Sequence, residues 1–160
     1  MKLFYIGILI SALTIQACSV VEGDFVEQDN STDLTFDNVF PTSSIDANNI
    51  LRGDVTKSWE TSAFTIESAN GFQTCRLDDQ IVLDADGTYA YDGGSVLCGA
   101  EDNEKNRSGS WTLDVDARLL ILDEGTDNEF SLYVESLVES EIVVSTSYRG
   151  LAILGKFRSN

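Results

Sequence analysis

The chain has 160 residues, 42% of them hydrophobic, with 10 Lys and Arg against 27 Asp and Glu, a formal net charge of −17 and no histidine. Histidine-based catalytic triads, histidine proton shuttles and most transition-metal sites are thereby excluded. A surface this acidic favours solubility in a crowded compartment and does not seek nucleic acid.

Lys2 opens the chain, Leu3 to Leu13 form an almost unbroken apolar run, and Ile15-Gln16-Ala17-Cys18 sets a small residue before a cysteine. This is signal-peptide layout. The run is too short to span a bilayer comfortably and its downstream flank is acidic, which argues against a retained transmembrane helix. Residues 15–18 resemble the lipobox of bacterial lipoproteins. The resemblance implies removal of residues 1–17 and lipidation of Cys18 by a thioether diacylglycerol and an amide-linked third chain, palmitate being of the right kind. Each buried methylene of such chains contributes roughly 0.8 kcal/mol, so the anchor would be effectively permanent. Ser19, where Asp would signal inner-membrane retention, implies delivery to the outer membrane of the cell envelope. Loss of the leader removes Lys2 and no acid, so the remaining nine bases and 27 acids give a net charge of −18.

Residues 18–48 are rich in Asp, Asn, Ser and Thr and hold the only proline, Pro41. They read as a flexible tether, and a chain of about 30 such residues has an end-to-end distance of order 30 Å. Phe36, Val39 and Phe40 are candidates to dock on the domain, which would order the final third of the segment.

Residues 49–160 form the domain. Short apolar or alternating runs punctuated by Gly, Asp and Asn predict eight strands, at 57–66, 79–84, 87–92, 107–115, 118–123, 128–135, 141–147 and 150–158. Most connections are short, favouring antiparallel neighbours, and no long amphipathic helical pattern supports crossover units. The longest connection, Gly93 to Asn106, has room for a turn of helix. Asp84-Ala85-Asp86-Gly87 suits a type I turn followed by a residue at positive φ, and Asp116-Ala117-Arg118 and Asp123 to Asn128 mark further turns. Trp111, Leu113 and Val115 alternate with Thr112 and Asp114, and Phe130, Leu132 and Val134 with Ser131, Tyr133 and Glu135. Such strands have one dry and one wet face. Closing the sheet removes its edges, so an all-β, antiparallel up-and-down barrel is preferred to a sandwich.

Cys75 and Cys98 are an even pair in a chain whose leader directs it out of the cytoplasm, which reads first as a disulfide. It would close a loop of about 24 residues, for which chain entropy predicts roughly 3 to 3.5 kcal/mol. A redox or metal-binding thiol pair would instead favour close C-x-x-C spacing.

Cys75-Arg76-Leu77-Asp78-Asp79, Leu83-Asp84-Ala85-Asp86-Gly87-Thr88-Tyr89, Asp92-Gly93-Gly94, Cys98 and Gly109-Ser110-Trp111-Thr112-Leu113 together resemble the lipocalin-like domains of small lipoproteins from Gram-negative bacteria. The resemblance covers about residues 48–158 and implies a small β-barrel with an unassigned ligand. Lipocalins open their first strand with G-x-W and cover that tryptophan with a base from the last strand. Here the first strand carries Trp59, with Gly53 six residues earlier, the Gly109-Ser110-Trp111 match lies mid-domain, and Lys156 and Arg158 are the candidate covering bases.

No chemistry-bearing constellation stands out. Asp84-x-Asp86-Gly87 is half of a calcium loop, but Val82 and Gly93 stand where oxygen ligands are needed, so a hairpin turn is expected. With 27 acids, no spacing singles out a glycosidase pair. The expectation is a non-enzymatic protein with no cofactor and no metal site. Its partners would be the membrane, through the lipid, and a small apolar or amphipathic ligand held by Tyr89, Tyr91, Trp111, Leu113, Phe130 and Leu132. The alternative is a barrel filled by its own side chains that acts as a structural or interaction module toward another envelope component.

Overall fold

Alternation of inward apolar and outward polar residues makes each strand amphipathic, and closure buries all the inward faces at once. In the computed structural model, which describes residues 35–66, 74–98 and 106–159, eight antiparallel strands form a closed up-and-down barrel in chain order. They are β1 (Thr56–Ile66), β2 (Gln80–Asp84), β3 (Thr88–Asp92), β4 (Asn106–Asp114), β5 (Leu119–Leu122), β6 (Phe130–Val138), β7 (Glu141–Tyr148) and β8 (Leu151–Ser159). β8 pairs back onto β1, from Trp59 opposite Ser159 to Ile66 opposite Ile153. The leader, Cys18 and the tether up to residue 34 lie outside the described residues, as do residues 99–105 of the long β3–β4 connection.

The predicted strands are all present, and the largest departure has a local cause. A bulge between Val134 and Ser136 resets the alternation of β6, so the strand continues to Val138, past the apparent break at 135. The turns follow their residues: Gly87 has φ 84° and donates its N–H to Asp84 O at 3.1 Å. Arg118 at φ 55° closes the β4–β5 connection, where Asp114 Oδ1 accepts from Ala117 N at 2.9 Å.

One α-helix was not foreseen. Helix α1 (Ser44–Arg52) starts at an N-cap Ser43, whose Oγ accepts from Asp46 N at 3.4 Å, and stops at Gly53 with φ 65°. Its two fully buried residues, Ala47 and Leu51, sit four apart on one face and plug one end of the barrel. Nine residues with two adjacent asparagines carry too little periodicity to announce a helix, and the boundary drawn after residue 48 falls inside it. The segment before it is docked as well. β5 has four residues and β6 nine, so β6 beyond Tyr133 has no strand beside it on that edge. Residues 37–39 take the place: Leu137 N donates to Val39 O at 2.7 Å and Ser136 Oγ to Asp37 O at 2.5 Å. Phe40 then packs on the core, with the Arg118 guanidinium 4.8 Å from its ring centroid. Phe36 is half-buried and Val39 is held by its backbone, its side chain exposed.

Trp59 is fully buried next to α1 and donates Nε1–H to Leu51 O at 2.7 Å. The base over its ring is Lys57, 4.5 Å from the centroid, which neither Lys156 nor Arg158 replaces. Lys57 precedes Trp59 by two residues on one strand and so shares its face. Lys156 is turned outward, where its ammonium meets Glu141 Oε2 at 3.0 Å and Thr35 O at 3.2 Å.

Candidate functional site: a cavity with two arginine–aspartate–tyrosine clusters

An eight-stranded barrel is just wide enough either to fill with side chains or to hold one small ligand. This one leaves a cavity of about 390 Å³. Its floor is Leu51 of α1 and Trp59, and its walls are aliphatic side chains such as Leu83, Leu120, Ile142 and Val144. Thr146 of β7 and Gly155 of β8 line it with little bulk, beside the larger Ile142, Val144, Ile153 and Phe157 of the same strands. A Cβ on Gly155 would come within 3.0 Å of the Phe157 ring, which lies across the vacant position.

Of the six residues expected to contact a ligand, Tyr89, Tyr91, Phe130 and Leu132 line this cavity. Trp111 and Leu113 do not. They belong to the C-terminal half of β4, nearer α1, where Trp111 is buried and donates Nε1–H to Asp84 O at 3.1 Å, bracing the β2–β3 turn. Only the N-terminal half of β4 reaches the cavity, and it does so through Arg107.

Two polar clusters line the cavity at the end away from α1. In the first, Arg107 Nη2 meets Asp123 Oδ2 at 2.7 Å, Tyr89 OH donates to the same oxygen at 2.9 Å, and Ser110 N donates to Asp123 Oδ1 at 3.2 Å. In the second, Arg76 Nη1 meets Asp79 Oδ2 at 3.2 Å and Tyr91 OH donates to that oxygen at 2.5 Å. Arg76 Nη1 also lies 3.3 Å from Tyr91 OH. Tyr91 and Arg107 are direct cross-strand partners on β3 and β4, so the two clusters are adjacent.

The electrostatics follow from this geometry. The Arg107 guanidinium, with help from Tyr89 and Ser110, holds the Asp123 carboxyl below the usual carboxylate range, and the same contact raises Arg107. Burial, reinforced by Asp123, pushes the Tyr89 phenol up, and burial with Asp79 pushes Tyr91 up further. At neutral pH Tyr89 and Tyr91 are therefore neutral donors, while Asp123 and Arg107 are charged.

Gly109 makes the Asp123 cluster possible. A Cβ there would lie 1.8 Å from Asp123 Oδ1 and 3.0 Å from the Tyr89 ring. The disulfide orders the neighbouring loops: Cys75 and Cys98 are bonded with Cα atoms 5.2 Å apart, and Arg76 is the next residue along. Asp78 completes the join, its Oδ2 accepting from Ser95 N at 2.6 Å, Ser95 Oγ at 2.9 Å and Val96 N at 3.2 Å. The backbone and hydroxyl of Ser95, with Val96 N, hold Asp78 below its ordinary pKa.

Sequence reasoning missed both arginines. For Arg107 a signal existed: it shares the inward parity of Trp111 and Leu113, so it is a base on a core-facing period. Arg76 lies in a short 3₁₀ turn (Thr74–Arg76), where no period applies. The partial calcium loop is a turn: Asp86 Oδ1 accepts from Thr88 N at 3.0 Å and Thr88 Oγ1 at 2.7 Å. Among the described residues no group of three or more acidic or cysteine side chains could hold a metal ion. No protein-family model matches the chain, and no curated protein matches it in sequence.

Proposed function

We propose that the barrel is a binding module for one small apolar or amphipathic molecule. The observation that carries this is the cavity of about 390 Å³, which exceeds the roughly 300 Å³ lower bound of small-molecule sites and joins apolar walls to a few converging polar groups. The alternative, a filled barrel acting as a structural or interaction module, has less support because side chains leave that volume empty. A non-enzymatic role agrees with the chemistry of the lining: both tyrosines and both arginines are bound to carboxylates as neutral donors or fixed cations. In this reading the chain is also a lipocalin-like lipoprotein of the outer membrane, anchored through lipid on Cys18. The support for that is the leader and the lipobox resemblance, and it would keep the barrel concentrated at the envelope.

Trp59 lines the cavity, so its fluorescence reports occupancy directly. Titration of the full-length protein with a neutral apolar probe such as N-phenyl-1-naphthylamine should give saturable one-to-one binding, and Val144→Phe, which fills the cavity, should weaken it by at least about tenfold, as overpacking of a snug site does. Non-saturable binding, or binding unchanged by the filled cavity, sinks the proposal. For the anchor, the protein from a bacterial expression host should carry a mass increase from acyl chains that Cys18→Ala abolishes. An unlipidated, uncleaved chain would refute that part.

A further inference from the structure

We infer that the ligand carries an anionic oxygen head group, a carboxylate or phosphate, received by Arg107 with Arg76 beside it, and that its apolar chain runs down the cavity toward Leu51 and Trp59. This rests on the proposed cavity binding and names the ligand class.

Arg76 and Arg107 are partly withdrawn from water beside an apolar cavity, their side chains 23% and 33% exposed, and a chain with only 10 bases against 27 acids has put both at one end of it. Asp123 does not use up what Arg107 offers. Both hydrogen bonds of Arg107 leave from Nη2, to Asp123 Oδ2 and to Asn128 O, each at 2.7 Å. Its Nε and Nη1 therefore have no hydrogen-bond partner among the described residues. Asp123 holds one side of the planar fork and leaves donors for a second acceptor, which is the geometry that suits a carboxylate or phosphate oxygen. Tyr89 and Tyr91 do not compete for that acceptor, because each hydroxyl proton is already given to an aspartate. They wall the head-group region with their rings instead. On the cavity's other side Thr146 is the one polar lining side chain among the described residues, which leaves the Arg107 end for the head group.

The cavity of about 390 Å³ is of a size that takes one small ligand. The overall charge of −17 opposes an anion only at long range, where salt screens it.

The test compares head groups on one chain length. Dodecanoate, dodecyl phosphate, dodecanol and dodecyltrimethylammonium are titrated against the full-length protein by Trp fluorescence and calorimetry. At least one of the two anions should bind about tenfold or more tighter than dodecanol, as expected for a charge-assisted hydrogen bond, and the cation weakest. The better of the two anions identifies the head group as carboxylate or phosphate. Arg107→Gln should bring the anions to within about twofold of dodecanol measured on the same variant, a ratio that cancels any change the substitution makes to the cavity as a whole. If dodecanol or the cation binds as tightly as the anions, or if the anion preference survives Arg107→Gln, the head-group inference is overturned while cavity binding stands. If none of the four binds, the cavity reading itself falls. The comparison on the native chain needs no variant, so a poorly folding Arg107→Gln does not protect the inference.

Discussion

A methyl group on residue 109 would overlap Asp123 Oδ1 at 1.8 Å, so the glycine serves the Arg107–Asp123–Tyr89 cluster by having no side chain. In the sequence it reads as the first letter of a G-x-W match; in the barrel it is the floor beneath a carboxylate that crosses from the end of β5. Gly109→Ala is expected to destabilise the protein by about 1–3 kcal/mol, the usual range for overpacking. Urea unfolding checks this, and the same substitution on an Asp123→Ser background should cost markedly less, because the overlapping carboxylate is gone. Equal costs on both backgrounds would mean that the strain lies elsewhere.

At the scale of elements, two pieces that are not strands decide what the barrel can hold. Helix α1 closes one end with Ala47 and Leu51, and Leu51 doubles as the cavity floor. Leu51→Ala is expected to cost about 2–5 kcal/mol, the range for a fully buried leucine, with a larger cavity as the second readout. At the other end the Cys75–Cys98 disulfide ties the segment before β2 to the one after β3. Replacing both cysteines by serine should lower stability by about 3 kcal/mol, through loop entropy restored to the unfolded chain. Reduction of the native protein should reproduce that loss, and a drop well under half of it would show that Asp78 and its three hydrogen bonds hold these loops without the bridge.

For the whole molecule, the titrating groups set the window of pH in which the barrel is stable. Asp123, Asp86 and Asp78 have folded pKa values below their ordinary ones, from Arg107, Thr88 and Ser95 respectively. Their contribution is present above the unfolded value, near pH ~3.9, and is lost as pH falls through the folded value. Tyr89 and Tyr91 are raised, chiefly by burial, so their contribution is present below about pH 10 and is lost above it. Self-repulsion among 27 acids relaxes as acid is added, which works the other way and calls for a difference measurement. The stability gap between the native protein and Asp123→Asn, followed by urea midpoint, should be constant from about pH 5 to 8 and shrink below about pH 4. A gap independent of pH would remove Asp123 from the account.

Strand number, strand order, hairpin turns and the cysteine pair could all be read from the chain, because period-two alternation and turn residues such as Asp84 to Gly87 are local and each needs only its neighbours. Two of the six expected ligand contacts, Trp111 and Leu113, shared the right parity, but parity does not say at which height along β4 the barrel is filled. The cavity, the α1 plug and the paired Arg–Asp–Tyr clusters were decided only by the tertiary structure. Each depends on which side chains from distant strands meet at one level, as Tyr89, Arg107 and Asp123 do over Gly109, and no local pattern encodes that meeting.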